Sequence, residues 1–307
     1  MKVTVMGTGG VGGYFGARLA NAGCAVGFVA RGAHLAAIRE QGLRVESTAG
    51  NLHLRNVRVS DKPEEFGVPD LVLFGVKLWD TEGAAQAIRP IVGEHTCVLS
   101  LQNGVVKDEI LRTILPASSL IGGVCYIATT IAEPGLIRHT GNMQKLVFGE
   151  FDGSVSERVK RFGAACATAG LDYEISANIQ RTIWEKFVFL VGLSGTTASM
   201  RVPIGRIRAD EHARAFLADV IAEVVAVARA EGVELAADFV ANRMAFADQL
   251  PATMTASMHH DLERGGRIEL PWLSGDVAAR GLRLGVPTPC NRAITAILSV
   301  HRDGRPQ

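Results

Sequence analysis

The feature that most constrains this chain is its opening, where an apolar pentapeptide, Lys2-Val-Thr-Val-Met6, runs through Gly7-Thr-Gly9-Gly10-Val11-Gly12 into an amphipathic segment that reaches Ala20. A strand that meets three spaced glycines and continues as a helix opens a βαβ unit. Gly7 permits the tight turn, Gly9 lets the backbone approach a pyrophosphate, and Gly12 lets the helix pack close to the strand. The N–H groups of the first helical turn, over Gly10 and Val11, offer positive partial charge to the anion. The spacing alone is a weak signal. Its context makes it specific, because a second strand, Cys24-Ala-Val-Gly-Phe-Val-Ala30, follows where a βαβ unit would place it.

The end of that second strand selects the dinucleotide. A carboxylate there would accept from the ribose 2′-OH of NAD and repel a 2′-phosphate. The residues are Val29, Ala30, Arg31 and Gly32, with no acid among them. Arg31 can pair a 2′-phosphate through a charge-assisted fork, so NADPH/NADP+ is the expected cofactor.

At 307 residues, 48% of them hydrophobic and 21% charged, the chain reads as a globular enzyme with room for two cores. A formal net charge of +1 gives no electrostatic reason to expect nucleic acid or an acidic membrane surface as a partner. The five cysteines, Cys24, Cys97, Cys125, Cys166 and Cys290, lack C-x-x-C spacing. They read as reduced core residues of a cytoplasmic protein, and no metal site is expected. No charged region precedes a long apolar segment, so no signal peptide is expected, and the most apolar stretch, Phe187 to Leu193, is far too short to span a membrane.

Asp70–Lys77 and Thr96–Leu101 are nearly continuous apolar runs, the pattern of parallel strands buried on both faces. Leu43–Ser47 and Asn51–Arg55 read as a hairpin inserted in the first half of the sheet. Ser119 to Glu150 is β-rich, with a turn at Glu133-Pro-Gly135 and a final strand near Leu146–Gly149. After Tyr173 helical periodicity dominates, as in Phe216/Leu217, Val220/Ile221 and Val224/Val225, closed by Gly232 as the C-cap. The expected fold class is α/β, a Rossmann-type N-terminal domain over residues 1–176 followed by an all-helical domain over 177–307.

Ligands of an open parallel sheet sit beyond the carboxyl ends of its strands. Lys77 and Gln102-Asn103-Gly104 follow two of them. Asn103 has amide donors and a carbonyl for a nicotinamide ribose or a substrate, whereas Lys77 is read equally well as a solvated loop lysine. Lys186 opens an apolar run and must either snorkel to water or face a cleft. Glu269 lies near Pro271, which suggests the first turn of a new helix with the carboxylate near its start. Ser257 precedes a helix carrying His259, His260 and Asp261, and by itself is equally a cap or turn residue.

Taken together these residues resemble the ketopantoate reductase (2-dehydropantoate 2-reductase) family over nearly the whole chain. The resemblance rests on the glycine opening, Val29-Ala-Arg31-Gly32, Val76-Lys77, Leu101-Gln-Asn103-Gly104-Val105, Trp184-x-Lys186-Phe187, Ser257-Met258 with Asp261, Glu269, Gly275, and Gly285-Val-Pro-Thr288-Pro289-x-Asn291. It implies an active site in a cleft between the two domains and reduction of a 2-oxo acid to the 2-hydroxy acid by NADPH. By that resemblance Lys186 is the general acid. Glu269 and Ser257 hold substrate hydroxyl or carboxylate groups, and Asn103, Lys77 and Glu269 line the cofactor side. A homodimer is left open. Another two-domain NADP(H) hydroxyacid dehydrogenase and a non-catalytic NADP(H)-binding sensor are the alternatives.

The departures concern the substrate. The family usually carries asparagines one and two turns after the lysine, where this chain has Leu190 and Ser194. Met254 stands where a substrate-contacting asparagine is often found, and Pro271 and Ser274 where Asp and Asn are common. A more apolar pocket follows, in which ketopantoate is reduced poorly relative to a more hydrophobic 2-oxo acid.

Overall fold

Apolar strands interleaved with helices build the first half of the chain. In the computed structural model, which describes residues Met1–Arg305, the elements in order are β1 (Lys2–Met6), α1 (Gly10–Asn21), β2 (Ala25–Val29), α2 (Gly32–Gln41), β3 (Leu43–Glu46), β4 (Leu52–Leu54), β5 (Arg58–Ser60), β6 (Leu71–Phe74), α3 (Thr81–Ile88), β7 (Cys97–Ser100), α4 (Val106–Ile114), β8 (Leu120–Glu133), β9 (Leu136–Gly149), α5 (Glu157–Thr168) and β10 (Asp172–Ile175). Helices follow: α6 (Ile179–Met200), α7 (Ile204–Ala209), α8 (Glu211–Ala230), α9 (Phe239–Gln249), α10 (Ser257–Glu263), α11 (Ser274–Leu284) and α12 (Pro289–Leu298). The chain divides into two units, Met1–Thr182 and the residues from Ile183 on, with the division inside the first turn of α6.

The sheet order is β4-β3-β9-β8-β7-β6-β1-β2-β5, with β10 beside β9. From β5 to β7 every neighbouring pair is parallel, and β7 also pairs in parallel with the start of β8. The chain leaves β1 for β2 and β5 on one side and returns on the other at β6. That reversal creates the crevice of a Rossmann-type sheet at the carboxyl ends of β1 and β6. Every residue of β6 and of β7 is buried. Leu71, Leu73 and Leu99 belong to one apolar core with Tyr14, Phe15 and Leu19 of α1, while Val72, Phe74 and Val98 belong to another with Ala84, Ile88 and Leu111 of α3 and α4. Helices on both faces explain the unbroken apolar runs.

Several expectations need correcting. The β3–β4 hairpin lies at the far edge beside β9, not in the first half of the sheet, because Val45 pairs with Ile137 across a long chain separation. The run from Asp70 stops pairing at Phe74, so Lys77 stands in the loop beyond the strand. The strand near Leu146 is the end of one continuous β9. Cys24 and Cys290 are only half-buried, whereas the other three cysteines are core residues.

In the second unit, α8 buries Leu217, Val220, Ile221, Val224 and Val225, the stripe that its periodicity predicts. Its C-cap is Glu231; Gly232 sits one residue later at a φ of +82°, the left-handed position that follows the cap and is usually taken by glycine. No helix among the described residues is long and apolar enough to cross a membrane.

Candidate active site

At the carboxyl end of β1 the chain turns through Gly7, whose φ of +97° is unfavourable for any residue with a β-carbon. A β-carbon on Gly12 would overlap the Gly7 carbonyl, so α1 approaches β1 as closely as it does only because that position is glycine. Gly9 differs from both. It is the N-cap of α1, in extended conformation, and a β-carbon there would meet nothing within 4 Å. The protein's own packing does not require a glycine at this position, whereas close approach of a phosphate does. No side chain caps α1 and no acid stands in its first turn, over Gly10 and Val11, so the turn suits an anion.

Thr8 anchors this turn to the neighbouring strand, since its N–H and its Oγ1 both donate to the Val29 carbonyl, at 3.0 and 2.9 Å. Two residues beyond Val29, Arg31 is the N-cap residue of α2 and is exposed. No described residue forms an ion pair with it.

Beyond β6, Lys77 is exposed and its Nζ lies 5.5 Å from the centroid of the Trp79 ring. Beyond β7, the half-buried Asn103 precedes Gly104 at a φ of +84°. A buried network joins the two loops. Gln102 Nε2 donates to Thr81 Oγ1 at 2.8 Å, Thr81 Oγ1 donates to the Leu78 carbonyl at 2.7 Å, and Ser100 Oγ donates to Gln102 Oε1 at 3.0 Å. The glycine turn, Arg31, Lys77 and Asn103 thus all stand at one end of the parallel sheet.

Lys107, in the first turn of α4, has no accessible surface. Its Nζ donates to the Ser100 and Gly123 carbonyls, each at 3.1 Å, and to both carboxylate oxygens of Asp108, at 3.2 and 3.1 Å. It therefore clamps the end of β7, from which the Asn103 loop departs, to β8. Burial pushes the Asp108 carboxyl up and the Lys107 ammonium pulls it down, with burial prevailing. Sequence reasoning passed over this pair, because Lys-Asp at the start of a helix normally marks a solvated turn.

In the second unit Lys186 is half-buried on α6, with Phe189 and Leu190 one turn further on. Two residues before it, the Trp184 ring lies under the Arg280 guanidinium, 5.7 Å from its Cζ, and Arg280 bonds Asp276 and Glu231, each at 2.8 Å. The Ser274 hydroxyl borders Gly195 near the other end of α6, so α11 runs antiparallel along it. His259 of α10 is a satisfied core histidine, with Nδ1 2.7 Å from the Thr197 carbonyl and Nε2 3.2 Å from Glu263. Among the described residues no group of three or more His, Cys, Asp or Glu is placed to hold a metal ion.

Two local expectations shift along the chain. Ser257 is the first residue of α10 and exposed, with Ala256 as the N-cap. Pro271 belongs to a separate 3-10 turn, Leu270–Trp272, for which the buried Glu269 is the N-cap, and the helix proper begins at Ser274. The hydroxyls of Ser194 and Ser274, at two of the positions that depart from the family pattern, are buried without a hydrogen-bond partner.

Residues 3–153 match the family described as Ketopantoate reductase PanE/ApbA, and residues 178–302 match its C-terminal counterpart. A 2-dehydropantoate 2-reductase of Mesorhizobium japonicum is 33% identical, over 97% of each chain. The crystal structure of a PanE/ApbA family ketopantoate reductase from Ralstonia eutropha superposes with a TM-score of 0.90 at 37% identity, covering 98% of both chains. A D-mandelate dehydrogenase, in a ternary structure with NADH and anilino(oxo)acetate, superposes with a TM-score of 0.90 over 98% of each chain at 21% identity, a likeness of fold alone.

Proposed function

Because the chain belongs to the ketopantoate reductase family of oxidoreductases, which reduce 2-oxo acids with a nicotinamide dinucleotide, we propose that it reduces a 2-oxo acid, 2-dehydropantoate or a related, more apolar one, to the 2-hydroxy acid with NADPH. The observation that carries this reading is the placement of the Gly7–Gly12 turn, Lys77 and Asn103 beyond the carboxyl ends of β1, β6 and β7, at the reversal of strand order. Gly9, with open space where a β-carbon would stand, and the uncapped start of α1 fit a pyrophosphate; Arg31 fits a 2′-phosphate.

When bound, the dinucleotide supplies the hydride that adds to the carbonyl carbon, leaving NADP+. The protein handles the charge that develops on the carbonyl oxygen. The Lys186 ammonium stabilises that oxygen and gives it a proton, so that 2-oxo acid, NADPH and one proton become 2-hydroxy acid and NADP+. Glu269 and Ser257 hold the polar groups of the substrate, and Asn103 orients substrate and nicotinamide ribose. Leu190 and Met254 supply apolar contact where family members often present amides.

A screen of 2-oxo acids, following loss of NADPH absorbance, tests the reaction. The preference for NADPH over NADH is expected to be about ten- to a hundredfold in kcat/KM, the worth of a charge-assisted phosphate contact. Arg31→Ala should erase most of it, and equal kcat/KM for the two cofactors in the wild type would overturn the assignment. Ketopantoate is expected to rank below at least one more hydrophobic 2-oxo acid; selective turnover of ketopantoate would place the enzyme in pantothenate biosynthesis instead.

A further inference from the structure

Residues three and four apart share one side of a helix, so Phe189 and Leu190 stand on the Lys186 side of α6. Phe189 meets Phe246 of α9 edge to face, with ring centroids 4.9 Å apart and planes at 77°. Phe246 is 40% exposed, so part of its ring faces outward from the pair. A cation lies against it. The Arg243 guanidinium lies 5.5 Å from the Phe246 centroid and 5.0 Å from that of the buried Phe239, and no described residue forms an ion pair with it. A ring fixed by one edge-to-face neighbour and one cation presents a rigid flat surface, at little further entropic cost to a ligand that stacks on it.

We propose that the Phe189–Phe246 pair is the specificity wall of the substrate site, selecting 2-oxo acids whose side chain is an aryl ring over short or hydroxylated ones. Its apolar surface stands beside the helix stripe that carries the proton donor, and Leu190 extends it. Arg243 acts as a positioning residue for the Phe246 ring. The proposal rests on the reading of Lys186 as the group that meets the carbonyl oxygen.

The test compares phenylglyoxylate with pyruvate as substrates of the wild type, Phe246→Leu and Phe189→Leu, substitutions that keep apolar volume while removing the ring. The wild type should favour phenylglyoxylate, and each variant should lower the ratio of the two kcat/KM values about tenfold, the scale of an aromatic contact. Phe246→Trp should retain the ratio. An unchanged ratio, or a change of oligomeric state with selectivity intact, would overturn the proposal and mark the ring as a packing or interface residue. Phenylglyoxylate binding to the NADP+-loaded protein is measured in parallel by calorimetry. If the wild type reduces neither acid, the lysine reading fails, yet the binding arm still decides the wall: weaker binding by Phe246→Leu supports it, and equal binding refutes it.

Discussion

Replacing Lys186 with alanine is expected to lower kcat by about 10²–10⁴ while leaving the affinity for NADPH nearly unchanged. In the proposed mechanism the ammonium acts on charge that exists only as the carbonyl is reduced, so its loss should fall on the transition state and not on the dinucleotide. The side chain is half-buried in a helix whose following residues, Phe187 to Leu193, are apolar. Lys186→Arg should recover little, because a guanidinium holds its protons too firmly to act as an acid near neutral pH. Steady-state turnover and fluorescence titration with NADPH, made on the same preparations, separate the two effects. A folded Lys186→Ala protein with wild-type turnover would show that the lysine only carries its charge to water.

The second large effect is expected at Lys107, in the buried clamp between β7 and β8. Lys107→Met leaves the Asp108 carboxylate buried without its cation and two backbone carbonyls without their donor. Breaking a buried pair in this way costs about 3–5 kcal/mol, a fall of roughly 6–20 °C in Tm for a domain of this size. Asp108 is a carboxyl whose native pKa lies above its ordinary value of about 3.8, so the folded state binds the proton more tightly than the unfolded state. Stability then falls as pH rises through the window between those two values, and acid relieves the penalty. Without Lys107 that window widens upward, so the deficit of Lys107→Met should shrink on mild acidification. The double variant Lys107→Met/Asp108→Leu should regain most of the stability, since both charges leave together. Differential scanning calorimetry at two pH values checks all three statements; a deficit independent of pH would show that the lost hydrogen bonds to carbonyls dominate.

Much of the architecture was legible because it rests on local periodicity. The pentapeptide before Gly7 can bury alternate side chains on two faces only as a strand. The continuous apolar runs at Leu71–Phe74 and Cys97–Ser100 require cover on both faces, and the paired apolar positions of Phe216 to Ala228 require a helix. Gly7 and Gly12 announce their own reason, since each occupies a place where a β-carbon is strained or overlaps backbone.

What the sequence by itself determined is therefore the Rossmann-type start, the change to helices after Tyr173, and the positions of Arg31, Lys77, Asn103 and Lys186 along the chain. Only the tertiary structure decided what depends on residues distant in sequence. It placed the β3–β4 hairpin beside β9, sank Lys107 among the Ser100 and Gly123 carbonyls, and set Phe246 against Phe189. A periodic pattern states which face of an element is apolar, but not which other element covers it. A buried cation or an exposed phenyl ring is defined by that cover, whose energy comes from contacts made only once the chain has closed.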